Sequence, residues 1–247
     1  MKTHLLGTPL PNRERKDEFS IQNLSVRMHF PCTLMHTGRQ FPYLGVTQMS
    51  DRDSRHKASM QKLKTHVDEK IANATEQRGL LLVNTGNGKG KTTAAWGTVT
   101  RALGYDYKVG VVQFIKGLWE CGERNRLEDD ANLQVAIMAT GFTWDTQNRE
   151  ADTRACQEVW QEAARMLSDP NVYLVVLDEI TYMLKFGYLD IETVKQALKN
   201  RPHEQTVIIT GRNAHREIID MADTVTEMQE VRHAFNNGIQ ARRGIDY

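Results

Sequence analysis

Cysteine is scarce in this chain. Its 247 residues hold three, Cys32, Cys121 and Cys156. They are odd in number, far apart and without C-x-x-C spacing, which argues against a disulfide framework or a zinc site and fits a reducing cytosol. Long apolar runs are missing too. No stretch approaches the roughly 20 residues needed to span a bilayer. The N-terminus, MKTHLLGTPLPNRERKDEF, has too short an apolar segment for a secretory signal. A soluble, cytoplasmic protein with no membrane contact is expected. Charge of one sign is also lacking. The formal net charge is +1, so no global basic field argues for nucleic acid. Internal repeats and low-complexity tracts are absent. His215 and His233 have no metal-ligand spacing.

What is present is a normal globular balance, 40% hydrophobic and 26% charged. Residues 1–48 mix Pro11, Pro31, Pro42, Gly38 and Gly45 with charges and show no sustained period. They are expected to be poorly ordered, or not normally made, since Met49 is a natural start. A helical segment is expected within 49–78. Met60, Leu63, Val67, Ile71 and Ala74 recur at three- and four-residue steps, predicting a helix over 58–77. It can cover a site, meet a partner subunit, or pack on its own domain.

Residues 79–247 alternate strand and helix. Strands are predicted at 80–84, 108–114, 134–139, 173–177, 206–210 and 224–228. Helices are predicted at 92–103, 148–167, 191–199 and 214–221. This pattern predicts an α/β fold, a P-loop NTPase-like three-layer sandwich with a mostly parallel central sheet.

The strongest motif runs Thr85-Gly86-Asn87-Gly88-Lys89-Gly90-Lys91-Thr92-Thr93, between a predicted strand and a predicted helix. That is the setting a phosphate loop requires. Its glycines let successive N–H groups turn inward at phosphate oxygens. The following helix adds its positive end. Lys91 can reach phosphate, and Thr92 can ligate Mg²⁺. One departure stands out. The position five before Gly90 is Thr85, and counted from Gly86 the loop is one residue short of G-x-x-x-x-G-K-[ST].

The apolar run 173–177 ends in Asp178 and Glu179. Either acid can hold Mg²⁺, and in a hydrolase Glu179 could position water instead. Phe142 and Trp144 are two apart, so an extended segment puts them on one side. Spacing alone favours ordinary core burial for them. Arg101, on the helix after the loop, and Arg212, after the strand 206–210, can each meet phosphate. The plain alternatives are a solvated helix face and a surface loop.

Together these residues resemble one family, the P-loop type of corrinoid (cob(I)alamin) adenosyltransferase of bacterial cobalamin synthesis and salvage. The resemblance spans about Met49 to Tyr247. It is carried by TGNGKGKTTAAWGT (85–98), KVGVVQFIKG (108–117), GERN (122–125), ATGFTW (139–144), NREAD (148–152), VVLDE (175–179), TVIITGR (206–212) and the spaced GI-A--GIDY of 238–247. It implies a similarly shortened loop that holds ATP in reverse, so that C5′ is exposed and triphosphate leaves. Co(I) of a reduced corrinoid, cobalamin or a cobinamide-type precursor, attacks C5′. The ATP site implied is Gly86, Asn87, Gly88, Lys89, Gly90, Lys91, Thr92 and Thr93, with Asn87 near the nucleoside and Arg101 a weaker candidate for the phosphates. Thr92 and Glu179 are the implied Mg²⁺ ligands. Phe142 and Trp144 match an aromatic pair that displaces the corrinoid's lower axial ligand and eases reduction to Co(I). A reduced flavoprotein such as flavodoxin is the implied electron donor, and a homodimer the implied assembly. The rival readings are a conventional P-loop ATPase, a small-molecule kinase and a non-catalytic nucleotide-binding module.

Overall fold

The computed structural model describes residues 51–115, 120–138 and 148–246. The expectations for residues 1–48 and for Phe142 and Trp144 lie outside them. The chain divides into two units, Met1–Thr65 and His66–Tyr247. A helix, α1 (Asp51–Asn73), runs across this division. It begins and ends earlier than the 58–77 expected. Asp51 and Asp53 in its first turn and Lys70 in its last suit the helix dipole. None of its residues is buried. Met60, Leu63, Val67 and Ile71 stay exposed.

The second unit is built on a six-stranded sheet. The strands are β1 (Leu81–Thr85), β2 (Val109–Gln113), β3 (Leu133–Ile137), β4 (Leu174–Asp178), β5 (Thr206–Thr210) and β6 (Thr224–Glu227). Their order is β3-β2-β4-β5-β1-β6. Every pairing is parallel, which sharpens the mostly parallel sheet expected. The helices are α2 (Lys91–Leu103), α3 (Gly122–Leu127), α4 (Arg149–Ser168), α5 (Ile180–Lys185), α6 (Ile191–Lys199) and α7 (Arg216–Met221). The six-residue α3 and α5 were not anticipated, being too short to establish a period of 3.6.

Successive strand residues point to opposite faces, and both faces are apolar. Leu81, Val83, Val112, Val175, Leu177, Val207 and Ile209 pack with α4, α6 and α7 through Trp160, Ala163, Met166, Val194, Leu198 and Ile218. Val109, Val111, Leu174, Val176 and Ile208 pack on the other side with Ala95, Trp96, Val99 and Leu103 of α2. The result is three layers, with the near-continuous apolar strands that a doubly covered parallel sheet demands. Buried Gln205 donates to the carbonyls of Met166 and Val172 at 3.0 and 2.9 Å, which satisfies backbone groups at the end of α4. Among the described residues no helix is long and apolar enough to cross a membrane.

Register places the chemistry. Asn84 pairs with Thr210, and Gln113 pairs with Asp178. The carboxyl ends of β1, β5, β4 and β2 therefore share one edge, where ligands bind in such sheets. At the opposite edge an ion pair ties the chain together. Arg78 meets both oxygens of Asp223, at 2.8 and 2.5 Å. Asp223 Oδ2 also accepts from Leu81 N at 2.8 Å, the first residue of β1. Arg78 holds this carboxyl down at about 2 against its ordinary 3.8. Its stabilising effect is therefore whole above pH 3.8 and is lost as pH falls towards about 2. Asp223→Ala is expected to lower Tm at neutral pH by about 2–8 °C. The gap to the parent should close in melts taken towards pH 2.

Candidate active site

The phosphate loop leaves β1 at Thr85 and enters α2 at Lys91. It is packed on the segment just beyond β6. Gly88 N donates to Met228 O at 2.6 Å. A Cβ on Gly86 would lie 2.4 Å from Met228 O, and one on Gly88 would lie 2.7 Å from Gln229 O. No larger residue fits at either position without moving backbone. Gly86 also has φ +93, a conformation that glycine adopts readily.

Lys91 is only 6% exposed, and its Nζ donates to Gly88 O at 2.6 Å. Burial lowers the ammonium's pKa; Glu179 pulls it back up, while Arg212 and Lys89 add to the fall. The loop thus gathers positive charge whose solvation is incomplete and which an anion would complete.

Asp178 and Glu179 part company. Asp178, at 1% exposure, is buried at the end of β4. It accepts from Thr92 Oγ1 at 2.8 Å, Thr210 Oγ1 at 2.7 Å and Gln113 Nε2 at 3.2 Å. Arg124 Nη1 in turn donates to Gln113 Oε1 at 3.2 Å, so α3 is tied to the same group. Glu179 takes a left-handed turn, φ 61, and lines the cleft. Its N–H donates to Thr210 Oγ1 at 3.0 Å. A non-glycine residue in that region carries strain.

The cleft encloses about 870 Å³. Asn87, Gly88, Lys89, Gly90, Lys91, Thr92 and Thr93 line it together with Glu179. Gly86, expected in the same site, is not among the lining residues; it packs against Met228 at the turn. Arg101 is not brought to it. This residue sits exposed in the last turn of α2. Ten residues separate it from Lys91, about 15 Å of helix. Arg212, the cation with the undecided role, does line the cleft, and so does His233. His215 instead caps α7, its Nδ1 accepting from Glu217 N at 3.3 Å. Sequence reasoning missed Tyr182, Ile115, the rim from Glu120 to Glu123, and the tail residues Ala241, Gly244, Ile245 and Asp246. The tail's fixed positions, 238–247, were the one signal that could have drawn attention to it.

A shortened phosphate loop between a parallel strand and its helix, faced by an acid from a strand across the sheet, defines an α/β protein of the P-loop class. Comparison with known proteins narrows this. The family described as ATP:corrinoid adenosyltransferase BtuR/CobO/CobP matches residues 77–247. The corrinoid adenosyltransferase of Escherichia coli K12 is 58% identical over 195 residues, which are 79% of this chain and 99% of that one. The corrinoid adenosyltransferase CobA of Salmonella typhimurium is also 58% identical, over the same shares. That of Pseudomonas aeruginosa is 47% identical over 205 residues, 82% of this chain and 100% of that one. The chain belongs to the ATP:corrinoid adenosyltransferase family.

Lys91→Met tests the charge balance of the loop. It removes a desolvated cation, so the ligand-free Tm is expected to stay within about 2 °C of the parent or to rise. Binding of Mg-ATP should weaken at least about tenfold, or 1.4 kcal/mol. Melts with and without Mg-ATP read both effects.

Proposed function

We propose that this enzyme transfers the 5′-deoxyadenosyl group of ATP to Co(I) of a reduced corrinoid and releases intact triphosphate. The observation that carries this reading is the convergence of Lys91, Thr92 and Glu179 on one cleft, in a chain of this family. The Co(I) electron pair forms the cobalt–carbon bond, and the C5′–O bond breaks with its electrons leaving on triphosphate. No proton moves, so no protein base is required. The chain's work is positioning and neutralising charge on the leaving group. Lys91 and the loop N–H groups serve the phosphates, and Arg212 stands in the same cleft.

Mg²⁺ suits the donors present. Asp178 accepts from Thr92, Thr210 and Gln113, whereas Thr92 and Glu179 line the cleft and offer hard oxygen atoms to an ion there. Magnesium takes one or two protein ligands beside phosphate and water. Bound there, the ion would neutralise charge on the triphosphate.

Phe142 and Trp144 are assigned, through the family resemblance, to displacing the corrinoid's lower axial ligand. A reduced flavoprotein such as flavodoxin completes the scheme as electron donor. The exposed apolar stripe of α1 supports a homodimer. The few, widely spaced cysteines support a cytoplasmic location.

An anaerobic reaction of the protein with Mg-ATP and chemically reduced cobalamin tests the transfer. Loss of Co(I) absorption is expected to match adenosylcobalamin and intact triphosphate. Orthophosphate or ADP without change in the corrinoid would instead show a conventional ATPase or a kinase. The double substitution Phe142→Ala with Trp144→Ala should slow reaction from Co(II) far more than reaction from preformed Co(I). Equal losses would remove the pair from ligand displacement.

A further inference from the structure

The chain does not leave the site after β6. Met228 and Gln229 support the loop glycines. A short 3₁₀ turn, Ala234–Asn237, comes next, and the tail then returns to the cleft with Gly244, Ile245 and Asp246. Among the described residues, two ion pairs pin this segment. Arg243 Nη2 lies 3.1 Å from Glu120 Oε2, on another wall of the cleft. Lys89 Nζ lies 2.5 Å from Asp246 Oδ1. Asp246 is itself held, since its Oδ2 accepts from Arg242 N at 2.8 Å. Lys89, together with the Arg242 amide, keeps this carboxyl below its usual range, so it is charged at neutral pH.

Lys89 is one of the two lysines of the phosphate loop. Its side chain is 52% exposed and that of Asp246 23%. A pair this open to water is worth little. A triphosphate carries several negative charges and offers Lys89 a stronger, charge-assisted partner. Any triphosphate held by the loop also lies beside the Asp246 carboxylate, which repels it.

We infer that Asp246 is a positioning residue that competes with triphosphate for Lys89: it holds this lysine while the loop is empty and draws it back as product leaves. The inference rests on the proposed reaction, in which triphosphate is the product. It gives the C-terminal segment a role in product release. Removing the carboxylate strengthens triphosphate binding, whereas a contact that merely built the site would weaken binding when removed.

The test is calorimetric titration of inorganic triphosphate with Mg²⁺ into the full chain. Asp246→Asn keeps the side chain's shape and is expected to bind triphosphate about two- to fivefold more tightly. The product-inhibition constant should fall by the same factor. Asp246→Glu restores the charge and should return affinity towards the parent value. Lys89→Ala separates the two ways the carboxylate can act. With Lys89 gone, most of the gain from Asp246→Asn should vanish. Equal or weaker binding by Asp246→Asn, or a gain undiminished in the Lys89→Ala background, overturns the inference. Arg243→Ala loosens the tail without freeing Lys89 and should not reproduce the gain; a matching gain would also overturn it. Parent protein that yields no triphosphate from ATP and Co(I) would refute the proposed reaction instead. A parent that does, with no gain in Asp246→Asn, refutes this inference alone.

Discussion

A single carboxylate joins the phosphate loop to the middle of the sheet. Asp178 receives Thr92 from the start of α2, Thr210 from β5 and Gln113 from β2. The consecutive elements α2 and β2 are thus locked at one buried point to β5, which lies almost a hundred residues further on. The strand order makes this possible. β5 lies between β1 and β4, so Thr210 bridges the strand that carries the loop and the strand that carries the acids. In a low-dielectric setting such hydrogen bonds strengthen, and leaving one unmade costs more than making it gains. Asp178 is thereby tied into the fold through Thr92, Thr210 and Gln113. Glu179, one residue on, is turned out to the cleft.

Charge in the cleft is arranged more finely than the net value of +1 suggests. Lys89, Lys91 and Arg212 share it with Glu120, Glu123, Glu179 and Asp246. Burial weakens the hold of Lys91 on its proton, and Glu179 partly restores it. Such a site attracts a polyanion through a few placed cations, with acids set beside them. A uniform basic field would attract any polyanion, nucleic acid included.

Much of the fold and part of the site are legible in the chain. The strand 206–210 is readable with its observed limits, because TVIIT is a short apolar run closed at both ends. The loop from Gly86 to Thr93 is legible because glycine, lysine and threonine at that spacing have few structural uses. Spatial relations are not. Arg101 looks close to the loop because it is near in sequence, yet a helix carries it away. Arg212 comes from far along the chain and stands in the cleft, because β5 neighbours β1. The tail gives a pattern without a place. Only the pairing of β6 with β1 shows that the residues after Glu227 must pass beneath the glycines. Tyr182 escapes notice because α5 is a helix of six residues with no readable period.

The position of β1 has a consequence for how the protein is made. This strand holds Leu81–Thr85, and both of its neighbours, Thr206–Thr210 and Thr224–Glu227, are separated from it by more than a hundred residues. A ribosome working from the N-terminus delivers the nucleotide loop early but cannot give its strand an edge to join until β5 emerges. The intervening strands β2, β3 and β4 can pair among themselves first. The slow, non-local closure is the insertion of β1 between β5 and β6. A nascent chain stalled before Thr224 would carry the whole loop motif with one side of its strand bare.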